Sequence, residues 1–191
     1  METWDNAYYV AFDTETTGFS KEDRICEICI VLAQGSRVLK KFHSLINPGV
    51  SIEPGAEAVH GISEYMLKDA PRFEDIKGQV LEFLRLDAPW VAHNMSFDTR
   101  MLSYSIPRDE WPRGIPTLCT MDFAKKKHPI LSTRRGHKLV EIAGALGFDY
   151  DLSGTHNAEY DTNLLVQLMP ALMGTRPVEL TYTKYSEQWL K

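Results

Sequence analysis

The sequence predicts an α/β fold, a mixed β-sheet with helices on its faces. Three observations predict it. An almost continuous apolar run, "AYYVAF" (7–12), has the character of a strand buried on both faces. Two strand-like runs follow it, and beyond them helix-period and short apolar segments alternate. A length of 191 residues with 43% hydrophobic and 25% charged residues fits one domain with a sizeable core.

The elements follow in order. "AYYVAF" leads directly into "DTETTG" (13–18). "ICEICIVLAQ" and "SRVLKKFHSLI", parted at Gly35-Ser36, read as an antiparallel hairpin. "NPGVSIEPGA" (47–56) is rich in turn formers and reads as a loop. Ser63 reads as a helix N-cap, with Met66 in place of an acid at the capping-box position. Phe73, Ile76, Val80, Leu81, Phe83 and Leu84 recur at helical spacing in "FEDIKGQVLEFLRL". "PWVAH" (89–93) is a short strand, followed by a helix over about 96–104. "IPTLCT" (115–120) is another strand and "MDFAKKKH" (121–128) another helix. "GHKLVEIAGALGF" is a helix stopped at Gly147, and "HNAEYDTNLLVQLM" a last helix ended by Pro170. The domain is expected over 1–173. The tail, 174–191, shows no period and suits a terminal helix, an added strand or a partner contact.

Several classes are excluded. Three cysteines, an odd number, argue against a disulfide framework. Cys26 and Cys29 are spaced as CxxC, but in a strand their side chains point to opposite faces, so they read as core residues. No apolar run approaches the roughly 18 residues of a membrane span. The start, "METWDNAYYV", is acidic and carries no basic leader, so the expectation is a cytosolic protein without a signal peptide. A net charge of −5 is a poor footprint for binding nucleic acid by electrostatics alone. A metal site would account for part of that acidity.

Carboxylates mark three places. Asp13 and Glu15 lie two apart, so a strand continuing through them puts both on one face. Such a pair suits a hard divalent cation, and the alternatives are a helix-starting cap or an exposed turn. Asp98, in "AHNMSFD" (92–98), falls in the first helical turn after a strand, where the helix dipole also favours an acid. In "HNAEYD" (156–161) His156 precedes the last helix and Asp161 lies near its start, where capping is again the alternative.

"FDTETTG", "VAHNMSFD" and "HNAEYD" (of the form HxAxxD) occur in this order within about residues 8–170, with "AVHGIS" (58–63) between the first two. The combination resembles the DEDDh, or DnaQ-like, 3′→5′ exonuclease family of the RNase H-like fold. "WVAHNMSFDTRML" and "LCTMDFAKK" look most like its exonuclease X and polymerase III epsilon (proofreading) branches, and the third motif is also similar to that of RNase T. The resemblance implies a three-layer α/β/α architecture with a mixed five-stranded sheet. It implies hydrolysis from the 3′ end of DNA, single-stranded or frayed, releasing nucleoside 5′-monophosphates. The alternatives within the family are an exoribonuclease and a proofreading subunit acting with a polymerase. It further implies two Mg²⁺ or Mn²⁺ ions held by Asp13, Glu15, Asp98 and Asp161, with His156 as general base.

In this family the segment matching Thr16, Thr17 and Gly18 borders the terminal nucleotide; a tight turn needing glycine is the other reading. His60, Asn94 and Phe97 resemble positions near the terminal base and sugar. Asn94 reads equally as a turn residue and Phe97 as a core aromatic. The basic run "KKKHPILSTRRGHK" (125–138), with Arg134 and Arg135, reads as a phosphate contact. A solvated helix end and loop is the alternative.

Overall fold

A computed structural model of the chain describes residues 3–127 and 137–174. Arg134, Arg135 and His128 of the basic run, and nearly all of the tail, lie outside the described residues.

Strand β1 (Tyr8–Thr16) is the centre of a five-stranded sheet of order β3-β2-β1-β4-β5. It pairs antiparallel with β2 (Ile25–Gln34), which pairs antiparallel with β3 (Arg37–Leu45). On its other side it runs parallel to β4 (Trp90–Ala92), and β4 parallel to β5 (Thr117–Cys119). The helices are α1 (Pro54–His60), α2 (Glu64–Leu67), α3 (Phe73–Leu84), α4 (Met95–Ser105), α5 (Thr120–Lys127), α6 (Leu139–Ala145) and α7 (Ala158–Met173).

The apolar run at β1 has no polar alternation because both faces of the sheet are covered. Tyr9 and Ala11 pack with residues of α6 and α7, among them Ile142, Leu165 and Met169. Val10 and Phe12, on the opposite face, pack with residues of α3 and α4, among them Val80, Leu84 and Leu102. The result is the expected three-layer α/β/α arrangement. Trp90 anchors the second layer, edge-on to Phe12 at 6.0 Å and to Trp111 at 5.8 Å between ring centroids. Cys26 and Cys29 diverge as expected, one buried against Ile52 and Leu67, the other against α7.

The β2–β3 hairpin turns at Gly35, whose φ of +57° and approach to the Asp5 carbonyl exclude a side chain. A Cβ there would lie 2.1 Å from that oxygen.

Three local readings are corrected. Residues 54–60, partly read as loop, form α1, because Pro54 at its first turn pre-sets the helical φ. Ser63 stands at the N-cap of α2, but its side chain makes no capping bond to that single turn. Pro170 does not end the last helix: α7 runs on to Met173. One backbone bond is lost, but the extra turn buries Leu172 and Met173, at about 1.5–3 kcal/mol for each large side chain.

Candidate active site

The strand β1 continues straight through Asp13 and Glu15, pairing Asp13 with Cys29 and Glu15 with Glu27 of β2. Both acids therefore share the face of Tyr9 and Ala11, which is the face covered by α7. Thr14, between them, points to the other face and is buried. There it meets α4. The Thr14 amide and hydroxyl both donate to Asp98 Oδ1, at 3.0 and 2.8 Å. The "DTE" triplet thus supplies two carboxylates and clamps a third, which is 2% exposed.

The fourth carboxylate and the histidine come from the start of α7. Asn157 caps that helix, its Oδ1 accepting from the Tyr160 amide at 2.9 Å. Asp161 is not the N-cap residue. Its Oδ2 accepts the His156 amide at 3.1 Å, outside the helix. His156 has a left-handed backbone, φ 62°, unusual for a residue with a side chain. A ligand atom each from Glu15, His156 and Asp161 lies within 4.8 Å of the others.

The electrostatics are those of a cage lacking a counter-charge. Burial, then Asp98, Glu15, Asp161 and Glu27, push the Asp13 carboxyl well above its usual range. Burial with Asp161, Glu27 and Asp98 raises Glu15 to about 8. Burial raises Asp98 to about 7 against the two Thr14 hydrogen bonds. Burial raises Asp161 to about 6, opposed by the His156 amide. The charges acting on Asp13 and Glu15 are all negative, which is the environment a divalent cation relieves. An oxygen-rich donor set fits a hard cation. His156 is held below its usual pKa by burial, Lys138 and His60.

These groups open into a cleft of about 450 Å³. Asp13, Glu15, Asp98, His156 and Asp161 all line it, with Thr16, His60, Asn94 and Phe97. His60, the last residue of α1, has both ring nitrogens committed. The Ile62 amide donates to Nδ1 at 3.0 Å, so Nε2 carries the hydrogen and faces the Thr16 carbonyl at 3.2 Å. Burial lowers its pKa in keeping with that neutral form. Asn94 precedes α4 with a φ of 85°, making no side-chain cap. Phe97 packs against the exposed Phe19 at 5.9 Å between centroids, under the Arg100 guanidinium at 5.4 Å.

Thr17 and Gly18 are absent from the lining, and the geometry supports their turn reading. The fully buried Thr17 hydroxyl donates to Asp23 Oδ1 at 2.7 Å and accepts the Arg24 amide at 3.0 Å. A Cβ on Gly18 would stand 2.7 Å from both Asp23 carboxylate oxygens.

Sequence reasoning gave no role to Thr14, Phe19 and Glu27, while Lys125, His137 and Lys138 belong to the basic run read as a phosphate contact. Thr14, Phe19, Lys125, His137 and Lys138 line the cleft. Glu27 lies beside it, 1% exposed. An acid inside the apolar run "ICEICI" was the available signal for Glu27. Phe19 was visible only as the residue after "DTETTG".

Carboxylates and a histidine gathered at the carboxyl ends of parallel sheet strands, in an open cleft, define a hydrolase of the nuclease class. The chain belongs to the exonuclease family, whose profile matches residues 10–169. It is a 3′–5′ exonuclease. It is 30% identical over 167 residues to DNA polymerase III subunit epsilon of Treponema pallidum, covering 86% of this chain and 76% of that one. It is 29% identical over 158 residues to the 3′-5′ exonuclease DinG of Bacillus subtilis, covering 82% of this chain but 16% of that one. Among solved structures, exonuclease X in complex with 5′ overhanging duplex DNA superposes with a TM-score of 0.67. It is 24% identical and covers 96% of this chain and 99% of that one. The nuclease domain of 3′hExo, a DEDDh family member bound to rAMP, superposes at 0.68 with 15% identity, covering 92% and 98%. Membership implies use of a divalent metal ion. No helix among the described residues is long and apolar enough to cross a membrane.

Proposed function

We propose that the chain removes nucleoside 5′-monophosphates one at a time from the 3′ end of DNA, single-stranded or frayed. The observation that carries this reading is the convergence of Asp13, Glu15, Asp98 and Asp161 with His156 in one cleft. The four carboxylates are the ligands for two divalent ions, Mg²⁺ or Mn²⁺. Bound there, the ions supply charge neutralisation at the phosphoryl group and acidify a water.

The chain's own residues do the rest. His156, kept neutral by burial, Lys138 and His60, takes the proton of the attacking water. Its amide holds Asp161. Phe97 and Phe19 offer flat apolar faces at the cleft rim, suited to stacking on a base of any sequence. Lys125 and Lys138 in the lining put positive charge in the same cleft as the acids. With Arg134 and Arg135 of the same basic run they suit a phosphate backbone. DNA is favoured because relatives near 30% identity are named as DNA polymerase III proteins, and this likeness also supports a polymerase as protein partner.

The test is digestion of matched DNA and RNA oligonucleotides, single- and double-stranded, with Mg²⁺ or Mn²⁺ and product chromatography. The expected result is 5′-mononucleotides released fastest from 3′ ends of single-stranded DNA, with no release by Asp13→Ala. Faster release from RNA would reassign the substrate, and unchanged release by Asp13→Ala would remove the metal assignment.

A further inference from the structure

Glu27 is a charged residue in the middle of a buried strand, 1% exposed, and the proposed chemistry gives it no task. It stands directly across from Glu15 in the β1–β2 register. Like charges in that position destabilise a sheet. Glu27 also adds to the repulsion that raises Asp13, Glu15 and Asp161. A cost of this kind calls for a compensating contact.

The contact is with the start of α7. Glu27 Oε1 accepts from Asn157 Nδ2 at 2.9 Å, and Oε2 accepts from the Ala158 amide at 3.0 Å. The His43 ring nitrogen Nε2 lies 2.7 Å from Oε1. Both carboxylate oxygens are therefore engaged. The Asn157 orientation is fixed from both ends, since its Oδ1 accepts the Tyr160 amide while its Nδ2 donates to Glu27. Asn157 and Ala158 are the two residues immediately after His156. The backbone at His156 sits in the left-handed region, a conformation that persists only where its surroundings over-determine it. Glu27 ties down one side of that bend and the Asp161 carboxylate the other.

We propose that Glu27 is a positioning residue for the reaction. It mounts the His156–Asn157–Ala158 bend on the central sheet, so that the imidazole stays beside the Glu15 and Asp161 carboxylates. It touches neither substrate nor metal, because it does not line the cleft and its carboxylate faces the start of α7. This rests on the reading of His156 as the base.

The test exchanges the polarity of one hydrogen bond. Asn157→Asp keeps an oxygen to cap α7 but sets a carboxylate against Glu27. Glu27→Gln places an amide where one of its three donors requires an oxygen. Each single variant is expected to lower kcat by roughly ten- to a hundredfold, the usual effect of losing an outer-shell partner. KM for the oligonucleotide and the Mn²⁺ half-saturation point should stay within about twofold. In the double variant Glu27→Gln/Asn157→Asp, the amide introduced on β2 can donate to the carboxylate introduced before α7, while its oxygen still accepts the Ala158 amide. Most of the lost kcat should return. A double variant no faster than the slower single one would overturn the proposal. So would recovery of the singles by excess Mn²⁺, which would make Glu27 a metal ligand. Hydrogen exchange at the Ala158 amide reads the tie without activity, and it should quicken in Asn157→Asp and slow again in the double variant. If exchange behaves so while His156→Ala retains the wild-type rate, the base assignment has failed rather than the tie.

Discussion

At the residue scale, the division of labour inside "DTE" explains how one strand end serves three carboxylates. Asp13 and Glu15 face α7, and Thr14 turns the other way to hold Asp98 by two hydrogen bonds to one oxygen. That leaves Asp98 Oδ2 for a cation. Thr14→Val keeps the amide bond and β-branched volume but removes the hydroxyl. The expected outcome is about a tenfold rise in the Mn²⁺ concentration needed for half-maximal rate, read by metal titration of activity. The five motif positions were legible in the sequence because their residue types and order resemble a known family. Thr14 and Glu27 were not, because a hydrogen-bond partner some 84 or 131 residues away leaves no local pattern.

At the element scale, β1, β2, β4 and α3 were readable because apolar pattern and burial agree in them, whereas the largely exposed β3 was readable from the Gly35-Ser36 turn before it. Where pattern and burial disagree, packing decides. Pro170 predicts a stop, yet Leu172 and Met173 find buried places, so α7 gains a turn. The loop reading of 47–56 ran into the start of α1, since Pro54 and Gly55 are turn formers that also suit a helix start. For Asp161 the capping alternative was open in the sequence, and the structure closes it by giving the cap to Asn157. The approach to the same helix carries His156 on a fixed mount. Lys41 and His43 of β3 pair with Glu159 in the first turn of α7, and Glu27 of β2 bonds its first amide.

At the scale of the whole molecule, the chain gathers four acids that repel one another, Asp98 buried and the other three half-buried, and this has a consequence for its stability. Without metal the folded state binds protons more tightly than the unfolded chain, with Glu15 at about 8, Asp98 at about 7 and Asp161 at about 6. Over these acids the proton count is greater in the folded state between roughly pH 4 and pH 8. His60, His93 and His156, lowered by burial, offset part of this below about pH 6.5, so stability falls as pH rises most steeply above it. Melting of the protein in EDTA should show a lower Tm at about pH 8.5 than at about pH 5.5. Saturating Mn²⁺ should raise Tm most at the higher pH, because the ion binds the ionised carboxylates. A Tm in EDTA that rises across this range would contradict the repulsive cage. The overall fold was legible as alternating elements, whereas the cleft was not, because it is lined from β1, α1, α4, α5, α6 and the approach to α7, which only the packed chain brings together.

In the proposed chemistry, metal binding and proton transfer fall to different residues of one small cage. The measurement that tests this division most directly is the single-turnover rate of nucleotide release by His156→Ala at saturating Mn²⁺, with Mn²⁺ binding measured on the same sample. The expected result is binding within about tenfold of wild type and a rate lower by roughly a hundredfold or more. A rate equal to wild type would contradict the assignment of His156 and with it the reading of the cleft.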